Sequence, residues 1–256
     1  MKRIFSIKER EFGTGKFLIC VPIVSNNKHS IIEDFKRVVN LDPDLVEWRV
    51  DYFEDNTDIE KIKAILNQIK GMTQNTPVIF TCRHQSEGGM CSLDSEIRYN
   101  MFKEALATGA VDLLDIEMIN GEGYINSIKK LTELYDKKLI LSYHNFQTTP
   151  NEQFIIDKLM DGESLGADIV KVALMPKTSE DVLTLLSATG KSRKYVNIPV
   201  ITMSMGELGR VSRVWGNAFG SAVTFASMLQ ISAPGQIGFF DLKKMIEFFS
   251  KEGEHS

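Results

Sequence analysis

The sequence of 256 residues has few of the features that mark secreted, membrane-bound or nucleic-acid-binding proteins. Its three cysteines, Cys20, Cys82 and Cys91, are odd in number and lack the paired spacing of a metal site, so reduced thiols are expected. No stretch approaches the roughly 18 consecutive apolar residues of a membrane span, and the first residues lack the apolar segment of a signal peptide. Charges of both signs are interspersed, and a net charge of −4 provides no basic surface for nucleic acid. These absences predict a cytoplasmic protein without a membrane or nucleic-acid partner.

Sequence motifs for cofactors and metals are also missing. There is no HExxH, no paired CxxC and no cluster of carboxylates and histidines at ligand spacing, so no metal is expected. Neither the Gly88-Gly89 pair nor segment 206–209 matches a dinucleotide or phosphate-binding fingerprint. Any chemistry is therefore expected to come from side chains alone, without a cofactor.

Short apolar runs rich in β-branched residues alternate with helical patterns along the chain. Eight runs recur at intervals of roughly 30 residues, about one βα unit, at 17–24, 45–52, 78–83, 111–117, 139–146, 168–175, 200–205 and 222–225. No low-complexity linker separates them. The sequence predicts a single α/β domain over 1–256: a (β/α)8 TIM barrel (17–250), an N-terminal β-hairpin (1–16) closing its bottom, and a tail (251–256). A doubly wound open sheet is the alternative.

Alternation along the runs separates packing residues from candidate functional residues. One face of a barrel strand packs on helices, whereas the other points inward and leads to the active site at the carboxyl end. Charged side chains do not fit the helix layer, so they are predicted to point into the barrel. Five consecutive runs each place polar or charged residues on this inner face: Glu47, Arg49 and Asp51; Thr81 and Arg83; Asp115 and Glu117; Ser142 and His144; and Lys171. Buried charges are retained where they are paired or used. Their convergence predicts an active site.

Lys171 stands in the middle of an apolar run. Burial disfavours an ammonium ion, and a neutral amine can attack a carbonyl to form a Schiff base. A structural ion pair with Asp115 or Glu117 is the alternative. His144, one strand away, is expected to move protons, and Glu87, on the loop after the third run, to hold its imidazole in one tautomer.

The combination of motifs resembles the type I 3-dehydroquinate dehydratases, which belong to a superfamily of Schiff-base enzymes that resemble class I aldolases. The resemblance covers essentially the whole chain and rests on EWR at 47–49, RHQSEGG at 83–89, DIE at 115–117, SYH at 142–144, KVA at 171–173, MSMG at 203–206, SR at 212–213, FGS at 219–221 and SAPGQ at 232–236. It implies a homodimeric barrel that dehydrates 3-dehydroquinate to 3-dehydroshikimate. That reaction is a step of the shikimate pathway to chorismate and the aromatic amino acids.

By this resemblance, Lys171 forms an imine with the substrate ketone. His144 removes the C2 proton, helps to form and hydrolyse the imine, and protonates the departing hydroxyl, while Glu87 orients His144. Ring hydroxyls are expected to bind Glu47, Arg49 and Arg83, with Asp115 and Glu117 in support.

The resemblance also implies how the rest of the substrate is held. Arg213 suits the carboxylate because a guanidinium binds it bidentately. Ser232 and Gln236 lie on a loop that is expected to close over the substrate. An apolar wall that keeps Lys171 neutral is assigned to Met203, Met205 and Phe225. The competing functions are another lysine-Schiff-base lyase of the class I aldolase type and a non-catalytic, ligand-binding barrel.

Overall fold

The computed structural model describes residues 3–228 and 232–250, without the side chain of residue 250. Strands and helices alternate through these residues. The strands are β1 (Phe5–Ile7), β2 (Arg10–Phe12), β3 (Leu18–Ile23), β4 (Leu45–Arg49), β5 (Val78–Thr81), β6 (Leu113–Glu117), β7 (Lys138–Asn145), β8 (Ile169–Leu174), β9 (Val200–Ser204), β10 (Val223–Ser227) and β11 (Ile237–Gly238). The helices are α1 (Lys28–Val39), α2 (Ile59–Lys70), α3 (Ser95–Ala107), α4 (Glu122–Leu134), α5 (Glu152–Ser164), α6 (Ser179–Ser192), α7 (Arg210–Phe219) and α8 (Phe239–Ser250). The expected tail, 251–256, lies outside the described residues.

The parallel strands close into a barrel. Their order is β10-β3-β4-β5-β6-β7-β8-β9, with the short β11 added beside β10. A parallel bridge between Val200 and Ser221 joins the start of β9 to the residues before β10, and the Ala222 amide donates to the Val200 carbonyl at 2.8 Å. The (β/α)8 barrel is thus confirmed, and the open-sheet alternative is wrong. Within the described residues, no helix combines the length and apolarity that a membrane crossing requires.

The N-terminal hairpin covers the amino ends of the barrel strands, as expected. β1 and β2 pair in antiparallel fashion, and the Phe5 and Phe12 rings stack with centroids 5.1 Å apart. Phe12 is buried in an apolar cluster with the first interior residues of the strands: Leu18, Leu45, Ile79, Leu113, Ile140 and Ile169. This cluster fills the lower barrel interior with side chains. The carboxyl ends of the strands are therefore the open end.

Helices cover the outside of the barrel with apolar stripes. In α2, the Asp58 side chain accepts from the Lys61 amide at 3.1 Å and caps the first turn. The buried stripe follows at helical spacing: Ile62, Ile65, Leu66 and Ile69. In α5, Gly162 lets the helix approach β8 closely, because a Cβ there would lie 2.6 Å from a methyl carbon of Val170. That contact fixes the outer face of the strand that carries Lys171.

Two of the strands end two or three residues before the predicted runs do. β4 ends at Arg49, and residues 50–52 form a 3-10 turn; β5 ends at Thr81. The Asp51 carboxylate in that turn pairs with Arg49 at 2.8 Å and accepts from the Met90 amide at 3.1 Å. Asp51 therefore does not lie on the inner face of β4, because the strand ends at Arg49 and Asp51 belongs to the turn that follows.

Candidate active site

A cavity of about 220 Å³ opens at the carboxyl ends of the barrel strands. It is lined by twelve of the residues expected from the sequence: Glu47, Arg49, Arg83, Glu87, His144, Lys171, Met203, Met205, Arg213, Phe225, Ser232 and Gln236. Asp115 and Glu117 are completely buried beside it and contact Arg83. The barrel thus brings side chains from separate βα units together at one cavity.

Lys171 lies between a carboxylate and an aromatic ring. Its Nζ donates to Asp115 Oδ2 at 2.9 Å, lies 3.9 Å from Glu47 Oε1, and sits 4.4 Å from the centroid of the Phe225 ring. The Phe225 ring therefore forms an apolar wall beside Nζ. The ion pair posed as the alternative does form with Asp115, whereas Glu117 pairs with two arginines instead. The lysine is buried and has a proton acceptor in direct contact.

Arg83 organises the carboxylates beneath the cavity. Its NH1 and NH2 groups donate to the two Asp115 oxygens at 3.0 and 2.9 Å, and NH1 also donates to Ser142 Oγ at 2.6 Å. Burial opposes ionisation of Asp115, but the charges of Arg83 and Lys171 hold its pKa well below the ordinary value. Asp115 is therefore a carboxylate at neutral pH.

His144 and Glu87 form a second pair at the cavity rim. Glu87 Oε2 accepts from the His144 backbone amide at 2.8 Å and lies 2.9 Å from Nδ1 of its ring. This contact leaves Nε2 as the ring nitrogen available to a bound molecule. Burial, together with the positive charges of Arg83 and Lys171, lowers the pKa of His144 well below its ordinary value. The imidazole is therefore neutral near pH 7, in the form that accepts a proton.

The Glu87 carboxyl is expected to make stability depend on pH. Burial raises its pKa from 4.5 to about 7. Between these values the folded protein holds a proton that the unfolded chain has released, so the wild-type free energy of unfolding falls as pH rises through this window. In Glu87→Gln this loss is absent, and the stability difference between variant and wild type should grow by about 3 kcal/mol from pH 4.5 to 7.

Urea titrations at several pH values measure this difference. Titration of His144 in the unfolded chain contributes equally to both proteins and cancels. The exposed substitution Glu60→Gln is the control, for which the difference should stay flat. A flat difference for Glu87→Gln as well would contradict the raised pKa.

Arg213 is a buried cation without an acidic partner among the described residues. It is 1% exposed, and its guanidinium donates to the carbonyls of Phe225 at 3.4 Å and Pro234 at 3.1 Å. Nε has no hydrogen-bond partner within the described ranges. Burial lowers the pKa of Arg213 to about 10, which still leaves it charged at neutral pH. Such an arginine at a cavity wall is suited to an anionic ligand.

Residues 232–236 lie beside the cavity, which Ser232 and Gln236 line. Gln236 Oε1 accepts from the Ser232 amide at 2.8 Å, and its Nε2 donates to Ser232 Oγ at 2.9 Å. The Pro234 carbonyl accepts from the Gly206 amide at 3.1 Å. Gly235 has a φ of 76°, and a Cβ there would lie 2.0 Å from the Gly206 carbonyl oxygen, so only glycine allows this approach.

Glu47 and Arg49, the two remaining cavity residues that were expected to bind substrate, are held by their neighbours. Glu47 accepts from Thr81 Oγ1 at 2.8 Å. Arg49, paired with Asp51, lies 5.0 Å from the ring centroid of Tyr52 and donates to the Gly88 carbonyl at 3.4 Å. Their polar groups therefore face the cavity in fixed positions.

The sequence analysis missed several residues at or near the site. Tyr52, Phe146 and Ala233 also line the cavity. Arg98, on α3, reaches Glu117 from outside the barrel at 2.8 Å. A signal for Arg98 was present, because it shares helical spacing with the buried Met101, Phe102 and Ala105, and an arginine on such a stripe needs a buried partner.

The fold and the site define the class to which this protein belongs: an α/β barrel with a buried lysine and an ionisable interior open at the carboxyl ends of its strands. The family model for type I 3-dehydroquinase matches residues 19–252. The chain belongs to the type I 3-dehydroquinase family.

Individual relatives are similar over nearly their full lengths. A 3-dehydroquinate dehydratase of Listeria innocua is 39% identical over 246 residues, covering 96% of this chain and 98% of the relative. The crystal structure of the Clostridium difficile type I enzyme with covalently modified comenic acid has a TM-score of 0.94 at 38% identity, covering 98% and 99% of the two chains. The Geobacillus kaustophilus 3-dehydroquinate dehydratase has a TM-score of 0.95 at 36% identity, with the same coverage.

Proposed function

We propose that this protein dehydrates 3-dehydroquinate to 3-dehydroshikimate through a Schiff base on Lys171. The observation that carries the proposal is the position of one buried lysine, which contacts Asp115 at 2.9 Å and shares its cavity with a histidine held by Glu87. Family membership and the near-full-length relatives support the same reaction. The reaction belongs to the shikimate pathway.

In the proposed mechanism, the Lys171 amine attacks the C3 ketone and water leaves, which gives an imine. Neutral His144, which shares the cavity with Lys171, takes part in the proton transfers that accompany imine formation. Neutral His144 then removes the C2 proton, and the electron pair moves into the imine to form an enamine. Collapse of the enamine expels the C1 hydroxyl, which His144 protonates, and water hydrolyses the conjugated imine to release Lys171 and the product.

The remaining cavity residues have binding roles in this proposal. Arg213 binds the substrate carboxylate. Ser232 and Gln236 replace some of the hydrogen bonds between them with hydrogen bonds to the substrate. Glu47, Arg49 and Arg83 face the ring hydroxyls. Met203, Met205 and Phe225 form the apolar side of the cavity.

A turnover assay tests the reaction directly. Formation of a conjugated enone from 3-dehydroquinate produces new ultraviolet absorbance, whereas an aldolase-type lyase would release carbon–carbon cleavage products. Borohydride reduction during turnover, followed by intact mass and peptide mapping, should locate the adduct on Lys171. Cleavage products, or an adduct on another lysine, would contradict the proposal.

Substrate affinity should depend strongly on Arg213. Arg213→Met is expected to raise KM by about 10- to 100-fold, because charge-assisted hydrogen bonds contribute roughly 1.5–3 kcal/mol. The melting temperature should not fall, since methionine removes a buried cation that lacks an acidic partner among the described residues. Arg210→Met, on the exposed face of the same helix, is the control and should retain the wild-type KM. An unchanged KM in Arg213→Met would exclude the carboxylate-binding role.

We also propose that the protein is a cytoplasmic homodimer. Support for association comes from aromatic side chains exposed on α7 and α8, where Trp215 is 42% and Phe248 is 62% exposed and the Trp215 ring lies 4.0 Å from that of Phe249. Exposed apolar clusters of this kind are typical of protein interfaces. Light scattering should give twice the chain mass for the wild type and one chain mass for Trp215→Glu. A monomeric wild type would contradict this proposal.

A further inference from the structure

The Glu117 carboxylate, which lies beneath the proposed active site, is completely buried and accepts four hydrogen bonds. Oε1 accepts from Arg83 NH1 at 2.8 Å and from the His84 amide at 2.9 Å. Oε2 accepts from Arg98 NH2 at 2.8 Å and from Asn120 Nδ2 at 3.1 Å. These donors occupy both oxygens fully. Glu117 is therefore a fixed link between two arginines and has no capacity left for substrate.

Arg98 is the outer end of this arrangement. It is 2% exposed, does not line the cavity, and donates from NH2 to the Cys82 carbonyl at 2.8 Å as well as to Glu117. NH1 donates to Asn120 Oδ1 at 2.6 Å. The guanidinium lies 5.8 Å from the Phe102 ring centroid and 5.9 Å from that of Tyr124. α3 and α4 thus hold one cation against the end of β5.

Charges alternate from Arg98 to the reactive lysine. Arg98 contacts Glu117, Glu117 contacts Arg83, Arg83 contacts Asp115, and Asp115 contacts Lys171, with the four distances between 2.8 and 2.9 Å. Each ion is buried and is stabilised by its neighbours of opposite sign. A change at Arg98 is therefore expected to alter the positions of Asp115 and Lys171 and the electrostatic field that acts on them.

We propose that Arg98 is a positioning residue for the dehydration, which holds Glu117 so that Arg83 fixes the Asp115 carboxylate against Lys171. The proposal rests on the function proposed above. Arg98 itself does not touch the substrate. Without it, Glu117 draws the Arg83 guanidinium away from Asp115, and the buried cluster acquires one additional negative charge.

The sign of the electrostatic effect is defined by the groups that face this pair. They are Arg83, Asp115, Glu87, Cys82, Cys91 and Tyr124. Burial opposes ionisation of Glu117, but Arg83 and Arg98 lower its pKa. Removing the Arg98 cation should therefore raise the pKa of the acidic groups in the cluster, whereas removing the Glu117 anion should lower it.

The test is a double-mutant cycle in the full-length protein, in which kcat is measured as a function of pH for the wild type, the two single variants and the double variant. Arg98→Met should lower kcat by about 10- to 100-fold, as expected for a 1–2 Å displacement of positioned groups, and move the acidic limb of the profile to higher pH. Glu117→Gln should move that limb to lower pH. The double variant should return it towards the wild-type position and lose less activity than the product of the two single losses.

Two further variants separate positioning from folding. Arg98→Lys keeps the charge without the forked geometry, so the limb should stay in place while kcat falls. Arg10→Met, which removes an arginine that pairs with Asp42 at the opposite end of the barrel, should leave kcat and the profile unchanged. Circular dichroism melting gives the folded fraction of each sample, so unfolded protein does not lower the apparent kcat.

The outcomes are distinct. A wild-type kcat and profile in Arg98→Met, or limb shifts of the same sign in both single variants, would overturn the positioning role and leave the dehydratase function intact. If Arg98→Met does not fold, Glu117→Gln and Arg98→Lys still test the predicted limb positions. A wild-type protein that fails to convert 3-dehydroquinate would instead contradict the proposed function.

Discussion

Replacing Lys171 with alanine is expected to abolish turnover of 3-dehydroquinate, with kcat falling by about 10⁴-fold or more, because the variant has no amine to form the imine. Initial rates measured by enone absorbance test this loss. Mass spectrometry after borohydride reduction should find no adduct. Lys191→Ala, which removes an exposed partner of Glu152, is the matched control and should keep wild-type turnover.

The fold of Lys171→Ala is expected to survive. Removing one partner of a buried pair commonly costs 3–5 kcal/mol because the other charge is left alone. Asp115 is not left alone here, since both of its oxygens still accept from Arg83 and Oδ1 also accepts from Ser142 at 2.6 Å. Circular dichroism melting should therefore show a much smaller loss. A strongly destabilised variant would indicate that Lys171 is chiefly half of a structural ion pair.

The second large effect is expected for His144→Ala. Loss of a positioned general base and acid typically lowers kcat by 10²–10⁴-fold, and His144 is proposed to act in several steps, so a loss near the upper end is expected. Because the Lys171 amine is still present in the cavity, the imine should still form slowly. Borohydride should then trap an adduct on Lys171 in a variant that no longer releases product at a measurable rate.

The pH dependence and a control sharpen this prediction. The pKa of His144 lies well below its ordinary value because of burial and the nearby cations, so wild-type kcat should show no loss from imidazole protonation between pH 8 and about 6.5. His29→Ala, on the exposed start of α1, should behave as wild type. A fully active His144→Ala would remove this residue from the mechanism.

Much of the site was predictable because a pleated strand has only two faces. Glu47, Asp115 and Lys171 each alternate with apolar residues that must face the helices, so their inward direction follows from the sequence. The barrel then brings consecutive strands to the same interior.

The pairing inside the barrel could not be predicted in the same way, because it depends on strand register and side-chain reach. Lys171 is level with Ser142, and Ser142 with Glu117, yet the lysine contacts Asp115, two residues closer to the bottom. Arg83 and Arg98 already occupy Glu117, and one of them comes from a helix outside the sheet. Alternation within strands contains no information about that helix.

The apolar cluster around Phe12, which fills the lower barrel interior, determines how molecules reach Lys171. With the lower interior filled by side chains, the cavity around Lys171 has its entrance, as far as the described residues show, at the carboxyl ends of the strands, where Ser232 and Gln236 line it. Every molecule that takes part in the reaction must pass through this entrance: the substrate, the water that is released and the product. Substrate binding and product release are therefore expected to be successive events at this entrance.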